Sequence, residues 1–386
     1  MEKIEKPKIY RKHHSFSDFY SRSKSSIKTQ TERVINFIQN IGLNEKDTVL
    51  ASMYRNIFDD LTNRIGTDEI KFDITEYIAT ELSKLDDAQL PRYLHHRYRY
   101  DINPNRYILD DYPPYVQIEP SSVCNFRCVF CYQTDESFNR KSNGYMGTMG
   151  LDLFKSIIDK IEDRIEFLSL SSRGEPFLCK DIDKMLEYCV GKFLNLKINT
   201  NASLLTEKHA HSILSGAVQT LVFSADAAEE PLYSQLRVNG KLDKTVKNIE
   251  MFKEIKEKYY PDSKIITRVS GVMYDERQDS EKMHSFWSSI VDQVAFVKYN
   301  PWENVYESAP NSITTPCSDL WRRMFIWFDG KVNPCDTDYK STLSVGNIKD
   351  NSVMDLWHSK KYQSLREAHR NNKRQEVEPC RGCVVT

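Results

Sequence analysis

Two rhythms of apolar and polar positions divide this chain. From about residue 31 to 94 the apolar positions recur at helical spacing. Val34, Ile35, Phe37 and Ile38 form one patch, and Ile57, Leu61 and Ile65 repeat four apart. Near residue 115 the rhythm changes. Short β-rich runs at 115–119, 165–171, 196–200, 220–225, 264–272 and 293–299 alternate with amphipathic helical runs. One helix carries Leu151, Phe154, Ile157, Ile158 and Ile161 on a single face, and another carries Ile182, Met185, Leu186, Cys189 and Val190. Further helices are predicted over 209–217, 242–255 and 283–291. Six strands joined by crossover helices predict a parallel sheet, because no tight turn can return the chain to a parallel neighbour. Eight such units close a full barrel. Six predict an α/β fold built on a partial, open (β/α)6 TIM-like barrel.

Parallel α/β folds carry their chemistry at the carboxyl ends of the strands. There the sequence reads Glu119-Pro-Ser-Ser-Val-Cys124, Ser171-Ser-Arg-Gly-Glu-Pro176, Asn199-Thr-Asn201 and Ser224-Ala-Asp226. The fifth strand carries Arg268 and Ser270, and the sixth ends Lys298-Tyr-Asn-Pro-Trp302. The expected division is a helical N-terminal extension over 1–110, the barrel over 111–305 and a small C-terminal domain over 306–386.

Charge changes little in this picture. Among 386 residues, 54 basic and 55 acidic side chains nearly cancel, which excludes the basic excess of a nucleic-acid coat or membrane-surface protein. Residues 1–29 hold eight Lys or Arg against three acidic residues and read as a solvated tail. The basic, aromatic tract 93–100 could face RNA; a linker packing its tyrosines fits the neutral chain better. No run approaches ~18 apolar residues, so no transmembrane helix is expected. The start lacks an apolar stretch and does not read as a signal peptide. The expected location is cytoplasmic, with no membrane partner.

In that compartment nine cysteines are metal ligands, catalytic groups or core filler rather than disulfides. Cys124-Asn-Phe-Arg-Cys128-Val-Phe-Cys131 follows the first strand directly. Three thiolates this close can hold three irons of a [4Fe–4S] cube and leave the fourth open. Zinc competes, with a fourth ligand from elsewhere. At the other end, Cys317, Cys335, Cys380 and Cys383 fit a closed [4Fe–4S] site or a structural zinc. Cys189 sits on an apolar helix face and reads as core. Cys179 reads as a buried structural thiol, with a hydrogen-donor role as the alternative.

The C-x3-C-x2-C loop after strand one of a six-unit βα chain resembles the radical S-adenosylmethionine (SAM) enzymes, over about residues 110–386. The resemblance implies a [4Fe–4S] cluster on Cys124, Cys128 and Cys131 whose open iron chelates SAM. Reductive cleavage then yields a 5′-deoxyadenosyl radical that abstracts hydrogen from substrate. Gly174-Glu175-Pro176 resembles the turn that binds the SAM amino group, with Ser172 and Arg173 where the family often has glycines. Asn199-Thr200-Asn201 is similar to the ribose-binding strand end, with Ala202 where glycine is common. Ser224 and Asp226 resemble the segment reaching ribose and methionine. The stretch after Asp226 resembles the one whose arginine, here Arg237, pairs with the SAM carboxylate. Phe130 stands where the family packs an aromatic near adenine.

The C-terminal cysteines and the tract 345–357 resemble the SPASM/Twitch extension. Four cysteines imply the one-cluster Twitch form, with an auxiliary [4Fe–4S] cluster on Cys317, Cys335, Cys380 and Cys383. The cysteine spacing resembles that of the 2-deoxy-scyllo-inosamine dehydrogenase. That likeness implies oxidation or epimerisation of a small molecule such as an amino sugar, cyclitol or sugar nucleotide. Such a reaction needs a base, for which Lys298, Tyr299 and Arg268 are the candidates. A reductant such as flavodoxin or ferredoxin is the implied protein partner. The alternative is modification of a ribosomal peptide or protein side chain, although no strand hairpin of a peptide-recognition domain is evident before residue 100. A zinc-bound scaffold or an RNA-binding protein would leave Gly174–Pro176 and Arg237 idle.

Overall fold

The computed structural model describes residues 9–12, 18–22, 26–40, 45–63, 71–301 and 303–386. Trp302, Ile65 and most of the basic N-terminal stretch lie outside them. The chain groups into two compact units, Ser21–Asp110 and the remainder.

The smaller unit is built on helices Ile27–Asn40, Thr48–Thr62, Glu76–Leu82 and Leu90–Asp101. Their apolar stripes bury Val34, Ile38, Ile57, Leu61 and Leu94. Asp47 caps the second helix by accepting from Val49 N and Leu50 N. The tract 93–100 is neither a linker nor an open basic surface. It forms most of the last helix, and Tyr93, His96, Arg97, Tyr98 and Arg99 are buried. Tyr77 and Tyr93 donate to the two oxygens of Glu81 at 2.7 Å each, and Arg97 pairs with Asp101 at 2.6 Å. The carboxylates of Glu81 and Asp101 are thus satisfied from within the unit.

The larger unit contains strands β1 (Asp18–Ser21), β2 (Tyr115–Ile118), β3 (Arg127–Cys128), β4 (Phe167–Leu170), β5 (Asn195–Thr200) and β6 (Thr220–Ser224). It continues with β7 (Arg237–Val238), β8 (Ile266–Met273), β9 (Gln293–Lys298), β10 (Arg323–Ile326), β11 (Lys331–Asn333) and β12 (Gly346–Asn347). One ten-stranded sheet runs β1-β9-β8-β6-β5-β4-β2-β10-β11-β12. The six predicted strands are its centre, all parallel and in sequential order. The fold is α/β with a partial barrel.

Two parts of the sheet were not expected. The strand β10 pairs parallel to β2 and carries the sheet into the cysteine-rich C-terminal region, where β11 and β12 add on antiparallel. The expected solvated tail contributes β1 at the other edge, beside β9. Asp18 is pinned there by Ser280 Oγ at 2.7 Å and by His284 Nε2 at 2.6 Å.

Register decides which side chains share a face. Asn199, Val222, Arg268 and Gln293 are successive partners across β5, β6, β8 and β9. The alternate positions Ile198, Leu221 and Val269 are fully buried core.

Candidate active site at the carboxyl ends of the strands

The cluster loop is held by backbone pairing as well as by sequence proximity. Cys128 pairs with Arg237 between β3 and β7, and Val129 N donates to Leu236 O at 3.0 Å. This brings Arg237 beside the cysteines from over a hundred residues away. Its Nη1 lies 3.8 Å from Cys128 Sγ, and its Nε pairs with Asp226 at 2.5 Å. Asp226 is fully buried, and its Oδ1 accepts from Val272 N at 2.6 Å. Asp226 therefore orients Arg237 and caps no helix.

The 174–176 turn docks on the same loop. Glu175 N donates to Val123 O at 2.9 Å. A Cβ at Gly174 would stand 2.4 Å from that same oxygen and 2.6 Å from Ser121 O, so only glycine fits. The buried Glu175 carboxylate accepts from Thr200 Oγ1 at 2.7 Å and from Asn201 N at 2.8 Å. Burial raises its pKa to about 7, against the lowering effect of these donors. Pro176 opens the short 3-10 turn Pro176–Leu178.

Asn201 Nδ2 donates to Asn125 Oδ1 at 3.0 Å, and Asn125 Nδ2 to Ser203 Oγ at 2.8 Å. Asn125, inside the C-x3-C spacing, thus ties the cluster loop to the end of β5; nothing in the local pattern marks it. Asn199 Oδ1 is buried without a protein partner. Ser224 ends β6 opposite Ser270. Phe130 is buried against Tyr274, ring centroids 5.5 Å apart.

The three base candidates do not converge. Lys298 is exposed, and alternation along β9 puts it on the side of Phe296 and Val294 rather than Ala295. Tyr299 is buried, its hydroxyl bonded to Glu303, and burial pushes its pKa well up. Arg268 is buried early in β8, with Nε and Nη2 on Gln293 Oε1 at 2.9 and 2.6 Å. It therefore sits below the rim. Cys179 and Cys189 are buried, and Cys179 Sγ donates to Met149 O at 3.6 Å.

All nine cysteines are free thiols. Burial raises the Cys124 pKa to about 12 and lifts those of Cys128 and Cys131 too, Arg237 opposing the rise at Cys128. Such thiols ionise when a cation binds and releases their protons. Among the described residues no three His, Cys, Asp or Glu side chains are grouped to hold one metal ion. A cube asks for a different arrangement, one thiolate on each of separate irons. The donor set, with the buried Glu175 carboxylate near Cys124 and the Arg237 guanidinium beside Cys128, fits a cluster with a polar cofactor above it.

In the C-terminal region burial raises all four thiols, Cys317 to about 11. Arg374 holds the backbone around them, donating to Thr315 O at 3.1 Å, Cys380 O at 3.3 Å and Cys383 O at 2.7 Å.

Comparison with known proteins decides the family. Residues 118–275 match the radical SAM superfamily, and residues 317–384 match the SPASM iron–sulfur cluster-binding domain; together they cover more than half the chain. This chain belongs to the radical SAM superfamily. Radical SAM proteins use SAM and a [4Fe–4S] cluster, and the SPASM match adds auxiliary iron–sulfur binding.

Among radical SAM relatives, the S-adenosyl-L-methionine-dependent 2-deoxy-scyllo-inosamine dehydrogenase of Niallia circulans is 22% identical over 273 residues, 69% of this chain and 91% of the relative. A GTP 3′,8-cyclase of Clostridium botulinum is 23% identical, over 61% of this chain and 70% of the relative. The structure of native anSMEcpe with bound AdoMet superimposes at a TM-score of 0.51 with 15% identity, covering 70% of this chain and 88% of the other; this likeness concerns the fold. No described helix is long and apolar enough to cross a membrane.

Proposed function

We propose that this radical SAM enzyme oxidises or epimerises a small polyhydroxylated molecule, such as a cyclitol, amino sugar or sugar nucleotide. The observation that carries the site is the convergence of Glu175, Asn201 and the Asp226–Arg237 pair on the C-x3-C-x2-C loop. The substrate class is supported by the similarity to the inosamine dehydrogenase along 91% of that protein, and by four C-terminal cysteines.

In this reading Cys124, Cys128 and Cys131 hold the first cluster, and Cys317, Cys335, Cys380 and Cys383 hold the auxiliary one. SAM bound at the first cluster would, once an external reductant had supplied an electron to that cluster, provide the chemistry for hydrogen-atom abstraction from substrate. The chain's own residues bind and orient. Glu175, kept beside Asn201 N and Thr200, takes the amino group of the methionine moiety. Arg237 takes the carboxylate, its guanidinium aimed by Asp226. Asn199, Asn201 and Ser224 offer polar groups to the ribose, and Phe130 offers an apolar wall to the adenine. A reducing compartment such as the cytoplasm is the reading that nine free thiols support.

The test is isotope transfer. Reduced, reconstituted enzyme is incubated with SAM and deuterated cyclitols or amino sugars. The reading expects deuterium in 5′-deoxyadenosine with one of them. Deuterium arriving only from a peptide would replace the substrate class with peptide modification.

A further inference from the structure

The described residues nearest the amino terminus lie on the C-terminal cysteine site. Lys12 Nζ donates to Asp319 Oδ2 at 2.6 Å and to Asp336 Oδ1 at 3.0 Å. Asp319 lies two residues after Cys317, and Asp336 directly follows Cys335. One ammonium thus joins two loops that the sequence separates. Tyr10 N donates to Val384 O at 2.8 Å, and Thr386 N to Tyr10 O at 2.9 Å, which engages the segment after Cys383. Residues 10–12 therefore touch all three stretches of chain that carry the four cysteines.

The arrangement is costly to build without a purpose. The Lys12 side chain is only 11% exposed, and the carboxylates of Asp319 and Asp336 are 2% and 14% exposed. Burial alone would lower the Lys12 pKa; the two carboxylates more than offset it and hold the amine charged. That charge bears on Cys317, Cys335 and Cys383. Four thiolates gathered in one buried place accumulate negative charge, and a fixed cation beside them reduces the repulsion.

We propose that the N-terminal residues 9–12 are a working part of the auxiliary cluster site, with Lys12 as a positioning residue that staples the Cys317 and Cys335 loops. The inference rests on reading the four C-terminal cysteines as cluster ligands. It assigns a role to a stretch that the barrel and its SAM site do not use.

The test isolates the second site. In protein carrying Cys124→Ala, Cys128→Ala and Cys131→Ala, the C-terminal four are the remaining cysteine set, beside the buried Cys179 and Cys189. Lys12→Met, Lys12→Arg and Asp336→Asn are added singly, and each protein is reconstituted anaerobically with iron and sulfide. The parent background and Lys12→Arg are expected to retain iron equally. Lys12→Met is expected to lose iron to a chelator about tenfold faster, the scale on which groups that orient metal ligands change metal affinity. Its remaining cluster should have a more negative midpoint potential, because a positive charge has gone; a purely architectural role would leave that potential unmoved. Asp336→Asn should release iron at an intermediate rate, and it decides the matter if Lys12→Met does not fold. Lys12→Met and Asp336→Asn that match the parent in iron release and potential would overturn the staple. A parent background that binds no iron would overturn the cluster assignment, and the staple with it.

Discussion

Arg173 forks onto Glu119, its Nε and Nη2 donating to separate carboxylate oxygens at 2.7 and 2.6 Å. Both side chains are almost wholly buried. The pair stands between two functional regions. Glu119 ends the strand that leads into the cluster loop, and Arg173 precedes the Gly174–Pro176 turn. Arg173 Nη1 also donates to Tyr339 O at 2.7 Å, its guanidinium lies 4.2 Å from the Trp327 ring centroid, and Phe328 N donates to Glu119 at 3.2 Å. This ion pair thus adds a side-chain tie to the β2–β10 pairing that joins barrel and cysteine-rich region.

Removing one partner leaves the other charged, buried and unpaired, which costs about 3–5 kcal/mol. Glu119→Gln and Arg173→Met are each expected to lower unfolding free energy by that amount in anaerobic denaturant titrations. The double variant should lose clearly less than the sum. Losses below about 1 kcal/mol for both single variants would mean that the pair holds nothing together.

Glu175 predicts a pH signature for SAM binding. Its pKa is about 7 because burial disfavours the carboxylate. An amino group of bound SAM favours the carboxylate, so binding below pH 7 requires loss of a proton. The dissociation constant should rise about tenfold for each pH unit below 7 and level off above it. Equilibrium dialysis from pH 5.5 to 8.5 checks this, and Glu175→Gln should flatten the profile. The raised carboxyl pKa also makes the fold most favoured below the unfolded value of 4.5. Its contribution, about 3 kcal/mol, is lost as pH rises from 4.5 through 7.

The cysteine sets should separate in iron analysis. Two cubes require about eight irons with matching sulfide per chain. The Cys124→Ala, Cys128→Ala, Cys131→Ala variant is expected to lose reductive SAM cleavage, measured as 5′-deoxyadenosine. Cys380→Ala with Cys383→Ala should keep about half the iron and keep SAM cleavage while losing turnover of substrate. A triple variant that cleaves SAM at the parent rate would remove the first cluster from that loop.

Ala202 occupies the left-handed region at φ 61° and is fully buried. A side chain there costs about 1–2 kcal/mol relative to a relaxed backbone, and glycine returns part of that gain as about 0.5–1 kcal/mol of chain entropy. Ala202→Gly is therefore expected to raise stability by about 0.5–1 kcal/mol, read as an increase in thermal midpoint. A fall in midpoint would show that the methyl group packs better than the backbone suffers.

Much of the barrel was legible because its information is local. Short β-rich runs between helical runs marked all six central strands within a residue or two, and crossover length required them to be parallel. The C-x3-C-x2-C loop, Gly174–Pro176 and Asn199–Asn201 stood out as short motifs at strand ends. The three base candidates do not share one place in the structure, because strand-end position says nothing about side. Lys298 is one residue out of phase with Ala295 and Val297, and Arg268 lies early in a strand whose end was predicted to within one residue. Asn125 was overlooked because its partner Asn201 is 76 residues away.

By itself the sequence determined the alternation of strands and helices, the cysteine sets and the family resemblance, since each depends on spacing over at most a few dozen residues. Only the tertiary structure decided that β10 extends the barrel sheet, that Arg237 reaches Cys128, that Glu119 and Arg173 close on one another, and that Lys12 reaches Asp319 and Asp336. Those contacts join residues between 54 and 324 positions apart. Pairing at that range follows from strand register and from burial that leaves each charge few partners, and neither is written in a local pattern.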